Sequence, residues 1–385
     1  MRKVLFGVDV FCELRNPMRN TRMALVTNDV ATDAFGVKSR VALLKSGFNI
    51  VKLFSPEHGL SASAADGAWV PNATDALTNL PVVSLYADKL KPSKEDLQDI
   101  DNVVFDIPDV GCRFYTYLWT MTHIMEACAE QNKTLIVLDR PNPLGGDLEK
   151  AEGPLLANAC ASFMGRWSVP VRHSCTLGEL AKYFGSTYTP TLELHVVKAQ
   201  NWNRNEFPDG TNWNFVPTSP AIKDLETAFF YPGLGLLEGI NINEGRGTNR
   251  DFKVLGAPWI HAPSLKEQLD KHNIQGIEIS TTEYIPKWGL YAGETCFGLQ
   301  LGISDKHTFC PVSFGIQLIQ ELILNYPQTC NERLYQTNAN PSGAGHLDKL
   351  LGIQNSFETL KAGVEIQTNL KPKQWQDEIE PYLLY

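Results

Sequence analysis

The sequence predicts an α/β fold, with a mostly parallel sheet in the first part of the chain and a smaller α+β unit after it. Three observations carry this. Short apolar runs rich in β-type residues alternate with stretches of helix-spaced apolar residues. Each of those runs stops abruptly on a polar cluster. The texture then changes beyond about residue 250, where alternating strand-like runs replace the earlier pattern. At 385 residues the chain exceeds the roughly 250–300 residues that one core usually serves, so two domains are expected, 1–250 and 251–385.

Taken in order, Met23–Val26 closes on Thr27 and Asn28, and Ile50–Phe54 closes on Ser55-Pro56-Glu57-His58-Gly59. Val82–Leu85 closes on Tyr86, Val103–Phe105 on Asp106, and Leu135–Leu138 on Asp139-Arg140-Pro141-Asn142. Helix spacing appears over Val37–Ser46 and over Tyr117–Glu130, where Leu118, Met121, Ile124, Met125 and Cys128 share a face. Later, Cys296–Ile303 reads as a strand and Pro311–Asn325 as a helix. In an open parallel sheet, loops beyond the carboxyl ends of the strands converge on the ligand. The polar clusters are therefore expected to meet in one cleft.

Composition narrows the function. Hydrophobic residues make up 43% and charged residues 20%, as in an ordinary globular protein, and the net charge of −9 argues against binding nucleic-acid phosphates. No stretch of 18 apolar residues is present to span a membrane. The apolar run Val4–Val8 is broken by Asp9, too early for a signal-peptide core, so the expected location is cytoplasmic, or periplasmic or secreted if a signal peptide has been removed. Eight scattered cysteines lack C-x-x-C or zinc-type spacing and are read mostly as buried thiols; no metal and no cofactor is expected. Oligomeric state is left open.

The clusters hold the candidate chemistry. Pro56 and Gly59 make a tight turn that projects Glu57 and His58, and a partly desolvated carboxyl at a cleft wall is suited to general-acid work. The run Asp106 to Tyr117 combines Asp109, Arg113, Tyr115 and Tyr117, a mixture suited to sugars: aromatic faces pack on C–H groups while Arg and Asp bond hydroxyls or an anion. Helix capping and packing would explain each residue singly as well. Asp139, Arg140 and Asn142 are held by two prolines and a glycine pair, and Glu152, Arg172 and His173 follow downstream. In Ile242-Asn243-Glu244-Gly245-Arg246-Gly247-Thr248, two glycines let Glu244 and Arg246 approach a ligand, with Asn243 beside them. That loop lacks the Lys-Ser/Thr ending of a phosphate loop, and Gly233 to Gly239 misses the dinucleotide spacing by one residue.

The same segments carry a family likeness. SPEHG (55–59), DVGCRFYTY (109–117), LDRPNPLGG (138–146), EGPLL (152–156), VPVRHSCTLGELA (169–181), PTSPAI (217–222), YPGLGLLEGIN (231–241), NEGRGT (243–248) and LGAPW (255–259) resemble the NamZ-type exo-β-N-acetylmuramidases, in the family's order. The resemblance implies a Rossmann-like N-terminal domain and a smaller C-terminal domain that completes the cleft. It implies release of N-acetylmuramic acid from non-reducing ends of peptidoglycan fragments during cell-wall turnover and recycling, with Glu57 as acid/base.

Candidates for a second catalytic group are Glu244, Asp109 and Asp139, or the sugar's own 2-acetamido group. Substrate-binding candidates are Asn28, His58, Arg113, Tyr115, Asp139, Arg140, Asn142, Arg172, Asn243 and Arg246. Among them Arg246 and Arg113, then Arg172, are the candidate clamps for the lactyl carboxylate of N-acetylmuramic acid. The family commonly continues after His58-Gly59 with Arg-Gly, whereas this chain reads Leu60-Ser-Ala-Ser-Ala-Ala-Asp-Gly67. That change keeps open a catalytically inactive muropeptide or sugar-binding protein, and the parallel sheet itself keeps open a nucleotide-dependent α/β enzyme.

Overall fold

The computed structural model describes all residues except 1, 15–16, 65–67, 87–88, 209–211, 338–339 and 367–371. The last three residues of the Leu60–Gly67 stretch thus lie outside the described residues. Strands β1 (Met23–Val26), β2 (Ile50–Ser55), β3 (Ala73–Thr74), β4 (Pro81–Ser84), β5 (Asn102–Phe105), β6 (Thr134–Leu138) and β7 (Leu194–Val197) form one sheet in the order β3-β4-β2-β1-β5-β6-β7. Every pairing is parallel except β3 with β4. Val26 lies level with Phe54 on one side and Phe105 on the other.

Near-continuous apolar strands are what a sheet covered on both faces requires. Ala24, Val26, Phe54, Val103, Phe105, Leu135 and Val137 enter one core, beneath the helices Tyr117–Glu130 and Leu177–Thr187. The alternate residues Met23, Leu25, Leu53, Val104, Ile136 and Leu138 face the other way, against Phe11 and Leu43 of the helices Gly7–Glu13 and Ser39–Lys45. The runs expected at Met23–Val26 and Tyr117–Glu130 form as read, and Val82–Leu85 begins one residue earlier, at Pro81. Strand β7 was not anticipated. It is a four-residue strand pairing only with β6, with exposed His195 interrupting its apolar residues.

In the later part, β8 (Val254–Ala257), β9 (Ile277–Tyr284) and β10 (Cys296–Ile303) form an antiparallel sheet in the order β8-β10-β9. The helix Leu225–Leu234 crosses Pro311–Asn325 almost backbone to backbone: a Cβ on Gly233 would fall 2.1 Å from the Pro311 carbonyl oxygen. Only glycine fits there. Phe229, Leu237, Leu299, Leu318 and Leu350 belong to the same apolar core as the upper sheet face, so one core runs through both parts.

Strand order reverses direction at β1, with β2 on one side and β5 on the other. A crevice opens beyond the carboxyl ends at such a switch point. Asn28, Glu57 and the loop after Phe105 all emerge there.

Candidate active site

Glu57 follows β2 directly. Pro56 fixes the backbone, the Gly59 N–H closes the turn onto the Pro56 carbonyl at 3.0 Å, and both His58 (φ 66°) and Gly59 (φ 71°) take the left-handed conformation. For His58 that conformation is strained, and it holds the two polar side chains outward from the strand end. Thr116, immediately before the helix Tyr117–Glu130, donates its hydroxyl to Glu57 Oε2 at 2.6 Å. His58 Nδ1 lies 2.7 Å from the Ala64 carbonyl, which can only accept, so Nδ1 carries a proton. Tyr115 packs edge-on to Tyr117 and Tyr231, with ring centroids 4.9 and 5.9 Å away.

Glu57, His58, Tyr115 and Thr116 line a cleft that also holds aromatic and apolar side chains, among them Phe114, Phe163 and Tyr231. Glu57, His58, Tyr86, Tyr115 and Thr116 line it together with Glu238, Arg246, Tyr335, His346 and Lys349 from the later part of the chain. Among the latter, Arg246 Nη2 reaches Glu238 Oε1 at 2.8 Å, and its Nε lies 3.1 Å from Glu244 Oε1. His346 Nε2 is 3.8 Å from Glu238 Oε2, and its ring stacks on Tyr335 at 4.4 Å. Burial opposes ionisation of Glu238, but Arg246 and His346 outweigh it and hold that carboxyl below its ordinary range. Glu244 moves the opposite way, pushed up by burial and by the neighbouring Glu238 despite Arg246. Glu238 is therefore held as a carboxylate in the cleft.

Of the residues expected at the site, the structure brings Glu57, His58, Tyr115 and Arg246 to the cleft. The others do not line it; they are packed behind it, for identifiable reasons. Arg113 is wholly buried, donating from Nη1 to the carbonyls of Pro154 (2.7 Å) and Val169 (2.8 Å) and from Nη2 to Leu350 (2.7 Å), and burial pulls it down to about 10. Arg140 forks onto Asp106 at 2.6 and 2.9 Å. Arg172 donates to the Leu144 carbonyl at 2.7 Å, with Glu152 at 3.6 Å. Asp139 accepts from Thr176 Oγ1, the Gly178 N–H and the Tyr385 hydroxyl, and burial pushes it to about 6. Asn142 bridges the Cys175 carbonyl and the Leu144 N–H.

Asp109 accepts from the Gly111 N–H at 2.7 Å and is pushed by burial to about 7. His173, 3.8 Å away, is pulled down by burial to about 3, so no charged pair forms between them near neutrality. Asn243 accepts from the Gly245 N–H and donates to the Arg246 carbonyl, shaping the loop that presents Arg246. Glu244 stands behind Arg246, and Asn28 is buried at the end of β1. Sequence reasoning missed Thr116, Glu238, His346 and Lys349. Only Glu238 left a trace, as the single carboxylate in the apolar stretch from Tyr231 to Ile240.

Comparison with known proteins gives the family. The model of the exo-β-N-acetylmuramidase NamZ N-terminal domain matches residues 23–226, and that of the C-terminal domain matches residues 229–385. The peptidoglycan β-N-acetylmuramidase NamZ of Bacillus subtilis (strain 168) is 38% identical over 329 residues, covering 85% of this chain and 79% of that protein. Crystal structures of two DUF1343 family proteins from Bacteroides fragilis NCTC 9343 superpose with TM-scores of 0.85 and 0.75. Their identities are 29% and 25%, over 100% and 99% of both chains. With family models across both parts and a curated relative matched over most of its length, the chain belongs to the exo-β-N-acetylmuramidase NamZ family.

Proposed function

We propose that this glycoside hydrolase removes N-acetylmuramic acid from the non-reducing ends of peptidoglycan fragments, in the turnover of cell-wall material, with Glu57 as the proton donor. The family activity, hydrolysis of peptidoglycan as a β-N-acetylmuramidase, is that of the chain. The observation that supports the residue assignment is Glu57 at the end of a strand, held by Thr116 and lining the same cleft as Glu238. In this reading Glu57 gives its proton to the glycosidic oxygen as the bond to the anomeric carbon breaks. Positive charge developing on the sugar meets the carboxylate of Glu238, which Arg246 and His346 keep ionised. The hydroxyl of water ends on the anomeric carbon, and its proton replaces the one that Glu57 gave.

Glu57→Gln keeps the size and the acceptor oxygen for Thr116 but has no acidic proton. Turnover of a chromogenic β-glycoside of N-acetylmuramic acid is expected to fall by about 10²- to 10⁴-fold. Wild-type turnover in that variant removes Glu57 from the role.

A further inference from the structure

N-acetylmuramic acid differs from N-acetylglucosamine by a lactyl ether that carries a carboxylate. An enzyme that selects it needs a cation not already neutralised by the protein. Among the described residues, two fixed cations line the cleft, Arg246 and Lys349. Arg246 is engaged with two carboxylates, Glu238 at 2.8 Å and Glu244 at 3.1 Å. Turning it toward a ligand would leave Glu238 buried without its main counter-charge.

Lys349 is placed differently. Its Nζ donates to Asn340 Oδ1 at 2.8 Å and to the Ala344 carbonyl at 3.1 Å, both uncharged acceptors. Among the described residues no carboxylate pairs with it. The neighbouring acid, Asp348, is turned away and accepts from the backbone N–H groups of Asn355 and Ser356 at 2.8 Å. Partial burial pulls Lys349 down from its ordinary range, as expected of an ammonium that lacks an anion. The side chain lies one turn beyond His346 on the helix His346–Leu351, so the two share a face, and both line the cleft. That helix is anchored from the earlier part of the chain, because Arg113 holds the carbonyl of Leu350.

We propose that Lys349 is the cation that receives the lactyl carboxylate, and so the residue by which the cleft distinguishes N-acetylmuramic acid from sugars lacking that group. The proposal rests on the activity proposed above. Asn340 and the Ala344 carbonyl orient the ammonium, and the carboxylate supplies the charge they lack.

The test compares N-acetylmuramic acid with its lactyl methyl ester, by calorimetric Kd for the free sugars and by kcat/KM for their chromogenic β-glycosides. The wild type is expected to prefer the acid by about 10- to 100-fold, the range of one charge-assisted bond. Lys349→Gln, which keeps a donor but no charge, should erase the preference by weakening the acid far more than the ester, and Lys349→Arg should restore much of it. Asn340→Asp provides a second route, since it sets a carboxylate against the ammonium and should erase the preference with Lys349 in place. The idea is overturned if the wild type shows no preference, or if a folded Lys349→Gln or Asn340→Asp variant retains it. Failure of the activity itself looks different. A wild type that binds the acid through Lys349 but never hydrolyses its glycoside loses the catalytic reading and keeps the anion site.

Discussion

Replacing Arg113 with methionine is expected to destabilise the chain by about 3 kcal/mol and to loosen the cleft. The guanidinium serves three carbonyls, those of Pro154, Val169 and Leu350, all within 2.8 Å. Methionine fills similar space but donates nothing, and each buried carbonyl left without a donor costs about 1–3 kcal/mol, roughly 3–9 in sum. Against this stands the burial of the charge itself. The fall from 12.5 to about 10 corresponds to about 3 kcal/mol of unfavourable desolvation, which the substitution relieves. The difference leaves a loss near 3 kcal/mol in the middle of the range. Urea unfolding should show it as a lower midpoint at unchanged slope.

The functional readout follows from where the bonds go. Leu350 belongs to the helix that carries His346 and Lys349, whereas Arg113 belongs to the loop that carries Thr116. The tether therefore spans both walls, and KM should rise more than kcat falls. A loss under about 1 kcal/mol with unchanged KM would refute the reasoning, because it would mean that the carbonyls find other partners without moving the walls.

Two further substitutions test the packing around the site. Asp109, raised from 3.8 to about 7, is ionised in the unfolded chain but protonated in the folded one between those values, so its contribution to stability is full below about pH 4 and is lost as pH rises to 7. Asp109→Asn should match the wild type near pH 4 and exceed it by about 2–4 kcal/mol at pH 8, with turnover preserved; an equal difference at both pH values in urea titrations would contradict the shift. Gly233→Ala would push a methyl to 2.1 Å from the Pro311 carbonyl oxygen and should cost about 1–3 kcal/mol through forced separation of the two helices. A wild-type unfolding midpoint there would mean that the crossing has room to slide.

The sheet was legible because buried parallel strands need continuous apolar runs, and turn chemistry marks where they stop. Met23–Val26, the run beginning at Ile50 and the helix Tyr117–Glu130 could all be read from those two signals. Strand β7 could not, since an edge strand four residues long with His195 inside it carries neither. At the site, Glu57 and His58 were readable from the strand-end rule. The same rule also pointed to Arg113, Asp139, Arg140 and Asn142, which are used to satisfy buried backbone and carboxylate groups. Residue type at a strand end does not separate these uses; only the partner does. Lys349 was invisible for the converse reason. It sits in a six-residue helix of ordinary pattern and reaches the cleft through tertiary docking of that helix, on the main core and on Arg113.

The segments recognised by the two family models meet between residues 226 and 229, inside the single helix Leu225–Leu234. The core passes through that helix without interruption, and the cleft is bounded from both sides of it. Such a protein has no seam at which one half could be exchanged by recombination for the half of a distant relative, because the incoming surface would have to match helix, core and tether at once. Changes in such a chain are thus expected to keep both halves in step, and a change of substrate preference is easier to accommodate at the rim of the cleft than by swapping a wall.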